Sequence, residues 1–185
     1  MHDAEDYIPE AINNAFPVLA DLRSQGLIKA IGLGMNYVGP ALEIMKNTDL
    51  DIALIAGRFT LLDQVAQHDL FPYALANKID ISMGGVLNSG VLANPVAGAT
   101  YNYLPASDEV IARAAKIGNF LKERGIPLVA AALQFPLRHP AVTSVLTGPR
   151  TAAELRSNAE DFDRVIPAHS WSELEDAGLI EKIQA

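Results

Sequence analysis

Short, mostly apolar runs alternate with amphipathic stretches along nearly the whole chain. Four of these runs are typical of strands buried on both faces of a parallel sheet: 27–34, 50–56, 78–83 and 142–147. Apolar residues at helical spacing predict helices in the stretches between and around them: 6–23, 41–46, 64–77, 107–124, 128–137, 151–162 and about 170–183. This alternation predicts an α/β fold with right-handed crossovers and a parallel sheet.

Glycine and polar residues follow every predicted strand. They are Gly34-Met35-Asn36, Ala56-Gly57-Arg58, Gly84-Gly85 and Gly148-Pro149-Arg150. Ligands bind at that carboxyl edge in folds built from βα units. The segment 93–106 has no clear period, and an irregular stretch of that length is usually a functional loop. From the pattern alone, the four strands fit either a doubly wound sheet or part of an eight-stranded barrel, which needs about 250 residues.

Composition narrows the function classes. The chain has 185 residues, 50% of them hydrophobic, which fits one compact domain or part of a larger one. A net charge of −8 argues against a nucleic-acid partner. The sequence has neither a long apolar run nor a basic, apolar leader, so we expect no membrane span and no secretory signal. The absence of cysteine favours a cytoplasmic location, and no histidine pair has metal-ligand spacing, so no metal site is predicted.

Four stretches taken together carry a family resemblance. They are His2-Asp3 followed by residues 23–36, Arg58 to Gln64, Gly84-Gly85-Val86-Leu87-Asn88-Ser89-Gly90, and Gly148-Pro149-Arg150-Thr151 with Asn158. This combination resembles the C-terminal half of the aldo-keto reductase superfamily, most closely the aldose (fucose-type sugar) and pyridoxal dehydrogenase branch. The resemblance implies a partial (β/α)8 TIM barrel. Residues 1–185 would form a single half-barrel fragment, roughly the last four βα units plus C-terminal helices.

The resemblance also implies a reaction and a gap in its machinery. Such enzymes are NAD(P)-dependent oxidoreductases, here of the aldose 1-dehydrogenase type, acting on a small-molecule sugar or aldehyde. Their tyrosine, lysine and aspartate belong to the first three βα units, and only His2 matches the family's catalytic histidine. We therefore expect a truncated chain that is inactive alone. The alternative is a catalytically silent half-barrel that binds or assembles. Its expected partner is a second copy that closes the barrel as a homodimer, or the missing N-terminal half. A sugar-phosphate isomerase is disfavoured because no predicted strand ends in glutamate.

Candidate residues near the first three strands each have two interpretations. His2 is either a frayed surface residue or a proton-sharing group beside a reacting carbonyl. Asn36 either closes a tight turn or orients a nicotinamide through its carboxamide. Asn88 and Ser89 either belong to a plain loop or offer donors to the pyrophosphate of the cofactor.

The last candidates surround the start of the predicted helix 151–162. Gly148, Arg150 and Thr151 form either an anion site at a helix N-terminus or, with Glu154, a simple capping box. Asn158 lies two helical turns on, where the resemblance implies contact with adenine. The family carries a basic residue at the position of Glu154, and an acid there tolerates a free ribose better than a 2′-phosphate. The expected cofactor is therefore NAD or NADP, with NAD favoured.

Overall fold

The structure is a computed structural model that describes residues 1–184. It contains six strands: β1 (Gly32–Met35), β2 (Ile52–Ala56), β3 (Asp80–Gly84), β4 (Thr100–Tyr101), β5 (Leu104–Pro105) and β6 (Val142–Val145). Strands β1, β2, β3 and β6 form one parallel sheet in that order, and β4 pairs antiparallel with β5 in a small hairpin. The sheet order follows the chain order, so the described sheet lacks the switch point of a doubly wound fold.

Helices connect the strands as the alternating pattern predicts. They are α1 (Ile8–Glu10), α2 (Phe16–Ser24), α3 (Val38–Asn47), α4 (Leu70–Asn77), α5 (Asp108–Lys122), α6 (Leu128–Gln134), α7 (Ala152–Phe162) and α8 (Ala168–Asp176). A π-helical turn, Ala11–Ala15, joins α1 to α2, and 3₁₀ turns occupy Val65–Gln67, Asn88–Gly90 and Phe135–Arg138. The predicted α/β fold with a parallel sheet is confirmed. Among residues 1–184, no helix is both long and apolar enough to cross a bilayer.

The two faces of the sheet differ in burial. Leu33, Ala53 and Ile81 lie in register on one face and are buried in the core with the helices. The opposite face carries Leu54, Ser82 and Ser144, which are half-buried or exposed. In the part of the chain that the structure describes, this second face is not covered by a layer of helices, and the sheet does not close into a barrel.

The first residues of the chain extend the sheet beyond β1. His2 forms a parallel bridge with Gly34. The Gly34 amide donates to the Met1 carbonyl at 2.9 Å, and the Asp3 amide donates to the Gly34 carbonyl at 3.0 Å. The alternative that this end is frayed is therefore wrong for its backbone, although the His2 side chain is 69% exposed.

Several predicted boundaries need correction. The first strand begins at Gly32 rather than at residue 27, because Gly26, at φ +73°, and Leu27 terminate α2. The predicted helix 64–77 is a 3₁₀ turn followed by α4. The last helix ends at Asp176 instead of near residue 183. Gly178, two residues after its end, adopts φ +65°, a conformation that terminates helices. The segment 93–106 is not wholly irregular, since it contains the β4–β5 hairpin.

Candidate functional site

A cavity of about 610 Å³ lies at the carboxyl ends of the sheet strands. That volume is within the usual range for small-molecule sites. The predicted residues that line it are Asn36, Asn88, Ser89, Gly148, Arg150 and Asn158. The structure therefore brings together residues that are as much as 122 positions apart in the sequence. His2 and Thr151 lie outside this lining.

Asn88 and Ser89 form a tight turn immediately beyond β3. Both adopt left-handed backbone conformations, with φ of +47° and +59°. The Asn88 side chain is buried, and its amide nitrogen donates to the Gly57 carbonyl at a long 3.4 Å. Within residues 1–184, its Oδ1 has no hydrogen-bond partner. A buried acceptor left unpaired costs about 1–3 kcal/mol, so this atom points to a ligand that donates a hydrogen bond.

Glycine backbone forms the floor of the cavity between β2 and β3. Gly57 and Gly85 adopt φ of +69° and +61°. A Cβ atom at residue 85 would lie 3.1 Å from the Gly57 backbone nitrogen, which is held by a hydrogen bond to the Gly84 carbonyl at 2.9 Å. The two glycines therefore allow the ends of neighbouring strands to approach each other where a ligand would rest.

The N-terminus of α7 is capped by side chains of the protein itself. Thr151 Oγ1 accepts a hydrogen bond from the Glu154 amide at 3.1 Å, which confirms the predicted cap. The Glu154 carboxylate accepts from the Arg150 amide at 2.7 Å, rather than from Thr151 as a capping box would have it. The Arg150 guanidinium also donates to Glu154 at 2.8 Å, and this bond holds the pKa of the Glu154 carboxyl below its usual range. The arginine is therefore already paired at the place where an anion would bind.

His2 joins the cavity indirectly, through Asp3 and Asn36. His2 Nδ1 lies 2.9 Å from an Asp3 carboxylate oxygen, and Asn36 Nδ2 donates to the other Asp3 oxygen at 3.3 Å. The imidazole lies directly over Gly34, where an added Cβ would be 2.6 Å from His2 Cδ2. The absence of a side chain at residue 34 is what allows His2 to approach the end of β1.

A partly buried arginine, Arg58, connects these walls, and the sequence pattern predicted no role for it beyond its place after a strand. Arg58 follows β2, and its side chain is only 18% exposed. Its Nε donates to the Asn36 carbonyl at 2.7 Å, Nη1 to Asp63 at 2.9 Å, and Nη2 to Asn102 Oδ1 at 3.1 Å. The available signal was a charged residue directly after a buried strand, at the edge that holds the other candidates.

The β4–β5 hairpin lies beside this arginine and against Ser89. The Thr100 hydroxyl donates to the Ser89 carbonyl at 2.6 Å, and the Tyr103 amide donates to Ser89 Oγ at 3.0 Å. Asn102 and Tyr103, at the tip, have φ of +50° and +63°, and both line the cavity. The Tyr101 hydroxyl lies 3.5 Å from Asp63, and burial together with that carboxylate raises the pKa of Tyr101.

This set of groups suits a polar organic ligand rather than a metal ion. Residues 1–184 contain no cluster of histidine, aspartate and glutamate side chains that could hold a metal. The cavity instead presents four asparagine amides, four hydroxyl groups, glycine backbone, Arg150 and the carboxylates of Glu154 and Asp161. Amides both donate and accept hydrogen bonds, as recognition of a carboxamide or a sugar requires.

Comparison with known proteins agrees with this architecture. The chain is 41% identical to pyridoxal 4-dehydrogenase from Microbacterium luteolum over 89% of its length, which covers 48% of that enzyme. It is 38% identical to D-threo-aldose 1-dehydrogenase from a Pseudomonas species over 97% of its length, covering 56% of that enzyme. The chain thus spans about half the length of these curated relatives.

Solved structures show the same fold. The holo form of an aldo-keto reductase from Bacillus halodurans superposes with a TM-score of 0.72 at 18% identity, covering 92% of this chain and 56% of that one. A glycerol dehydrogenase from Gluconobacter oxydans superposes with a TM-score of 0.64 at 17% identity, covering 89% and 53%. The sequence matches the Aldo/keto reductase family over residues 1–178. The chain therefore belongs to the aldo/keto reductase family.

Proposed function

We propose that the chain carries the cofactor-binding half of an NAD(P)-dependent oxidoreductase of the aldose 1-dehydrogenase type, which acts on a sugar or aldehyde. The observation that carries this proposal is the cavity at the strand ends, which is lined by Asn88, with its unpaired Oδ1, together with other amide and hydroxyl side chains. The two relatives named for pyridoxal and aldose dehydrogenation support the substrate class.

The fold that we propose is a partial (β/α)8 TIM barrel, with residues 1–185 as one fragment holding roughly the last four βα units plus the C-terminal helices. Support comes from the sheet, whose strands follow the chain order as barrel strands do. The half-exposed face with Leu54 and Ser82 would then face the barrel interior. The half-length matches to the relatives agree with this interpretation.

The residues of the cavity fit a dinucleotide. Asn36 would hold the nicotinamide carboxamide, and Ser89 would donate to the pyrophosphate. Asn88, whose Nδ2 already donates to Gly57, would accept at Oδ1 from a donor such as a ribose hydroxyl of the cofactor. Gly148, Arg150, Thr151 and Asn158 would bind the adenosine half. His2 would share a proton beside the substrate carbonyl, since an imidazole both donates and accepts hydrogen bonds. Bound NAD(P) supplies the chemistry of hydride transfer, while the protein aligns the groups and handles the proton.

We propose NAD rather than NADP as the preferred cofactor. A 2′-phosphate needs a free cation, and the Arg150 guanidinium is already bonded to Glu154. The Glu154 carboxylate would also repel a phosphate at this position, whereas it tolerates the hydroxyl of an unmodified ribose.

Hydride transfer by these 185 residues on their own should be absent or very low. No lysine lines the cavity among the residues that the structure describes. Burial and the nearby Asp63 carboxylate raise the pKa of Tyr101, whereas a proton donor and acceptor needs a pKa near the working pH. Among residues 1–184, the cavity lining therefore contains binding groups but no tyrosine–lysine pair.

Titration with NADH tests the proposal. We expect enhanced nicotinamide fluorescence on binding, with no turnover in an assay of NAD with an aldose. Asn88→Gly keeps the left-handed backbone but removes the amide, and should weaken NADH about tenfold through the lost hydrogen bonds. Lys78→Gly is the matched control, because Lys78 has φ +58° at the end of α4, outside the cavity lining. An unchanged fluorescence signal with the wild-type chain would contradict the proposal.

The open sheet favours a second candidate function, a catalytically silent module that assembles with a copy of itself. Strand β6 lies at one edge of the described sheet, with Thr143 and Ser144 exposed on it. Unpaired strand edges seek partners. Light scattering would give about twice the 19.8 kDa chain mass for a self-complementing dimer, and a clean monomer would remove this candidate. The expected lack of nucleic-acid and membrane partners and the cytoplasmic location stay predictions.

A further inference from the structure

We propose that Arg58 is a positioning residue that fixes Asn36 for the carboxamide of the cofactor. This inference rests on the proposed function, because it assigns a role to Asn36 in nicotinamide binding. It concerns a residue that does not itself line the cavity. Arg58 would act through the backbone of a residue that does.

The Arg58 guanidinium has a geometry suited to holding several groups at once. Its three nitrogens donate in three directions, to the Asn36 carbonyl, to Asp63 and to Asn102. A planar guanidinium can satisfy these acceptors together, whereas the single ammonium of lysine cannot. The side chain thereby joins the end of β1, the loop after β2 and the tip of the hairpin.

Arg58 forms an ion pair with Asp63, so the charges of the two side chains compensate each other. Both side chains are largely buried, 18% and 17% exposed, and the Asp63 backbone is itself held by a hydrogen bond from its amide to Thr60 Oγ1 at 3.0 Å. Asp63 neutralises the arginine, so Arg58 is not a free cation for a phosphate. Replacing a buried ion pair by apolar residues is often neutral or stabilising, so its presence is weak evidence for a stability role.

Asn36 keeps its side-chain oxygen, Oδ1, available for a ligand. The residue is held from two sides: Arg58 binds its carbonyl, and Asp3 accepts from its Nδ2. Within residues 1–184, no donor is bonded to Asn36 Oδ1. That oxygen is therefore oriented and available to accept from the NH₂ of a carboxamide. Releasing the carbonyl from Arg58 would leave the side chain free to shift.

The test compares two ligands that differ only where Asn36 would act. NADH contains the nicotinamide, and ADP-ribose lacks it but retains the pyrophosphate and adenosine. Arg58→Lys should weaken NADH about tenfold, because a shift of about 1 Å in a positioned group is costly, and should change ADP-ribose affinity less than about twofold. The ratio of the two dissociation constants is a quantity that general loosening of the fold would not move.

One variant serves as the control. Arg138→Lys changes another partly buried arginine, 23% exposed and paired with Glu175 at 2.8 Å, which lies outside the cavity lining. It should leave the NADH to ADP-ribose ratio within about twofold of the wild type, because it does not release the Asn36 carbonyl.

The outcomes separate the two proposals. If the wild-type chain binds neither ligand, the proposed function fails. If it binds both and Arg58→Lys leaves the ratio unchanged, the positioning role of Arg58 is overturned while the cofactor site stands. If Arg58→Lys does not fold, Arg58→Gln combined with Asp63→Asn removes both members of the buried pair and leaves no unpaired charge. This double variant should show the same selective loss of NADH, and an unchanged ratio in it overturns the role equally.

Discussion

The lack of a Cβ atom at Gly34 allows the His2 imidazole to lie against the backbone of β1. The Gly34→Ala substitution would place Cβ against the His2 ring at 2.6 Å, and the exposed ring can move away. We expect a loss of stability below about 1 kcal/mol, together with loss of the His2–Asp3 pair. The NMR chemical shifts of the His2 ring protons would detect the displaced ring.

The control for this substitution lies in the neighbouring helix. Gly39→Ala in α3 meets nothing within 4 Å and should stabilise the chain by about 0.5–1 kcal/mol. An unchanged His2 resonance in Gly34→Ala would show that the glycine does not govern the position of the ring.

Glu154 is the residue on which cofactor preference should depend. Glu154→Gln removes the charge that holds Arg150 and leaves a neutral amide in its place. We expect NADP(H) affinity to rise about tenfold relative to NAD(H), since one newly available cation near a phosphate is worth about 1–2 kcal/mol. Fluorescence titrations with NADPH and NADH would measure the change. Glu160→Gln, in the same helix but outside the cavity lining, is the control.

At the scale of elements, the segment after α8 should stabilise the fold more than its irregular backbone suggests. Leu179 and Ile180 are buried, and the Glu181 amide donates to Gln64 Oε1 at 2.7 Å. Deleting residues 179–185 would expose this apolar surface and leave the buried side chains of Gln64 and Gln67 without partners. The expected cost is about 3–6 kcal/mol.

Urea unfolding would measure the effect of that deletion. Lys182→Ala, in the same segment, removes only an exposed pair with Asp176 at 3.3 Å and should cost less than about 1 kcal/mol. A deletion no more harmful than this control would show that the segment is dispensable.

The pattern of the sequence predicted the elements whose signals are local. Buried strands, the cap at Thr151 and the acidic start of α5 all depend on neighbouring residues, and each is present in the structure. The β4–β5 hairpin escaped prediction because its strands have two residues each and its tip is Asn102-Tyr103 rather than the usual Asn-Gly. The pairing of His2 with Gly34 spans 32 positions, and no local pattern signals it.

The sequence predicted which residues form the candidate site but not the hydrogen bonds between their side chains. Glycines and amides after successive strands predicted which residues meet, because parallel strands share one carboxyl edge. Which partner each side chain chooses depends on rotamers and loop geometry. The pairing of Arg150 with Glu154 and the threefold donation by Arg58 are therefore visible only in the structure.

At the scale of the whole molecule, one buried histidine should make stability depend on pH. His139 Nδ1 accepts from the Ala141 amide, so Nε2 carries the proton and donates to the Gln184 carbonyl at 2.8 Å. Burial lowers the pKa of His139, only partly offset by that carbonyl. As the pH falls, His139 is therefore protonated in the unfolded chain at a higher pH than in the folded chain. Stability is complete above about pH 6.5 and falls as the pH drops below that value toward the folded pKa.

Urea midpoints at pH 7.5 and pH 5.0 would measure this dependence. His139→Gln should flatten it, because no imidazole remains to be protonated there. The carboxyls with lowered pKa, Asp51 and Glu154, lose their contributions only at more acidic pH. If the variant keeps the full slope, the dependence arises elsewhere.

Four non-glycine residues with left-handed backbone conformations line one cavity. They are Asn88, Ser89, Asn102 and Tyr103. A protein engineer seeking a more heat-resistant chain would choose glycine at these places, since glycine adopts that conformation without strain. Each such replacement would also delete an amide, a hydroxyl or an aromatic ring from the wall. Thermal stability and ligand affinity therefore make opposite demands on these four positions. Laboratory selection for higher stability should lower the affinity, and selection for affinity should lower the stability.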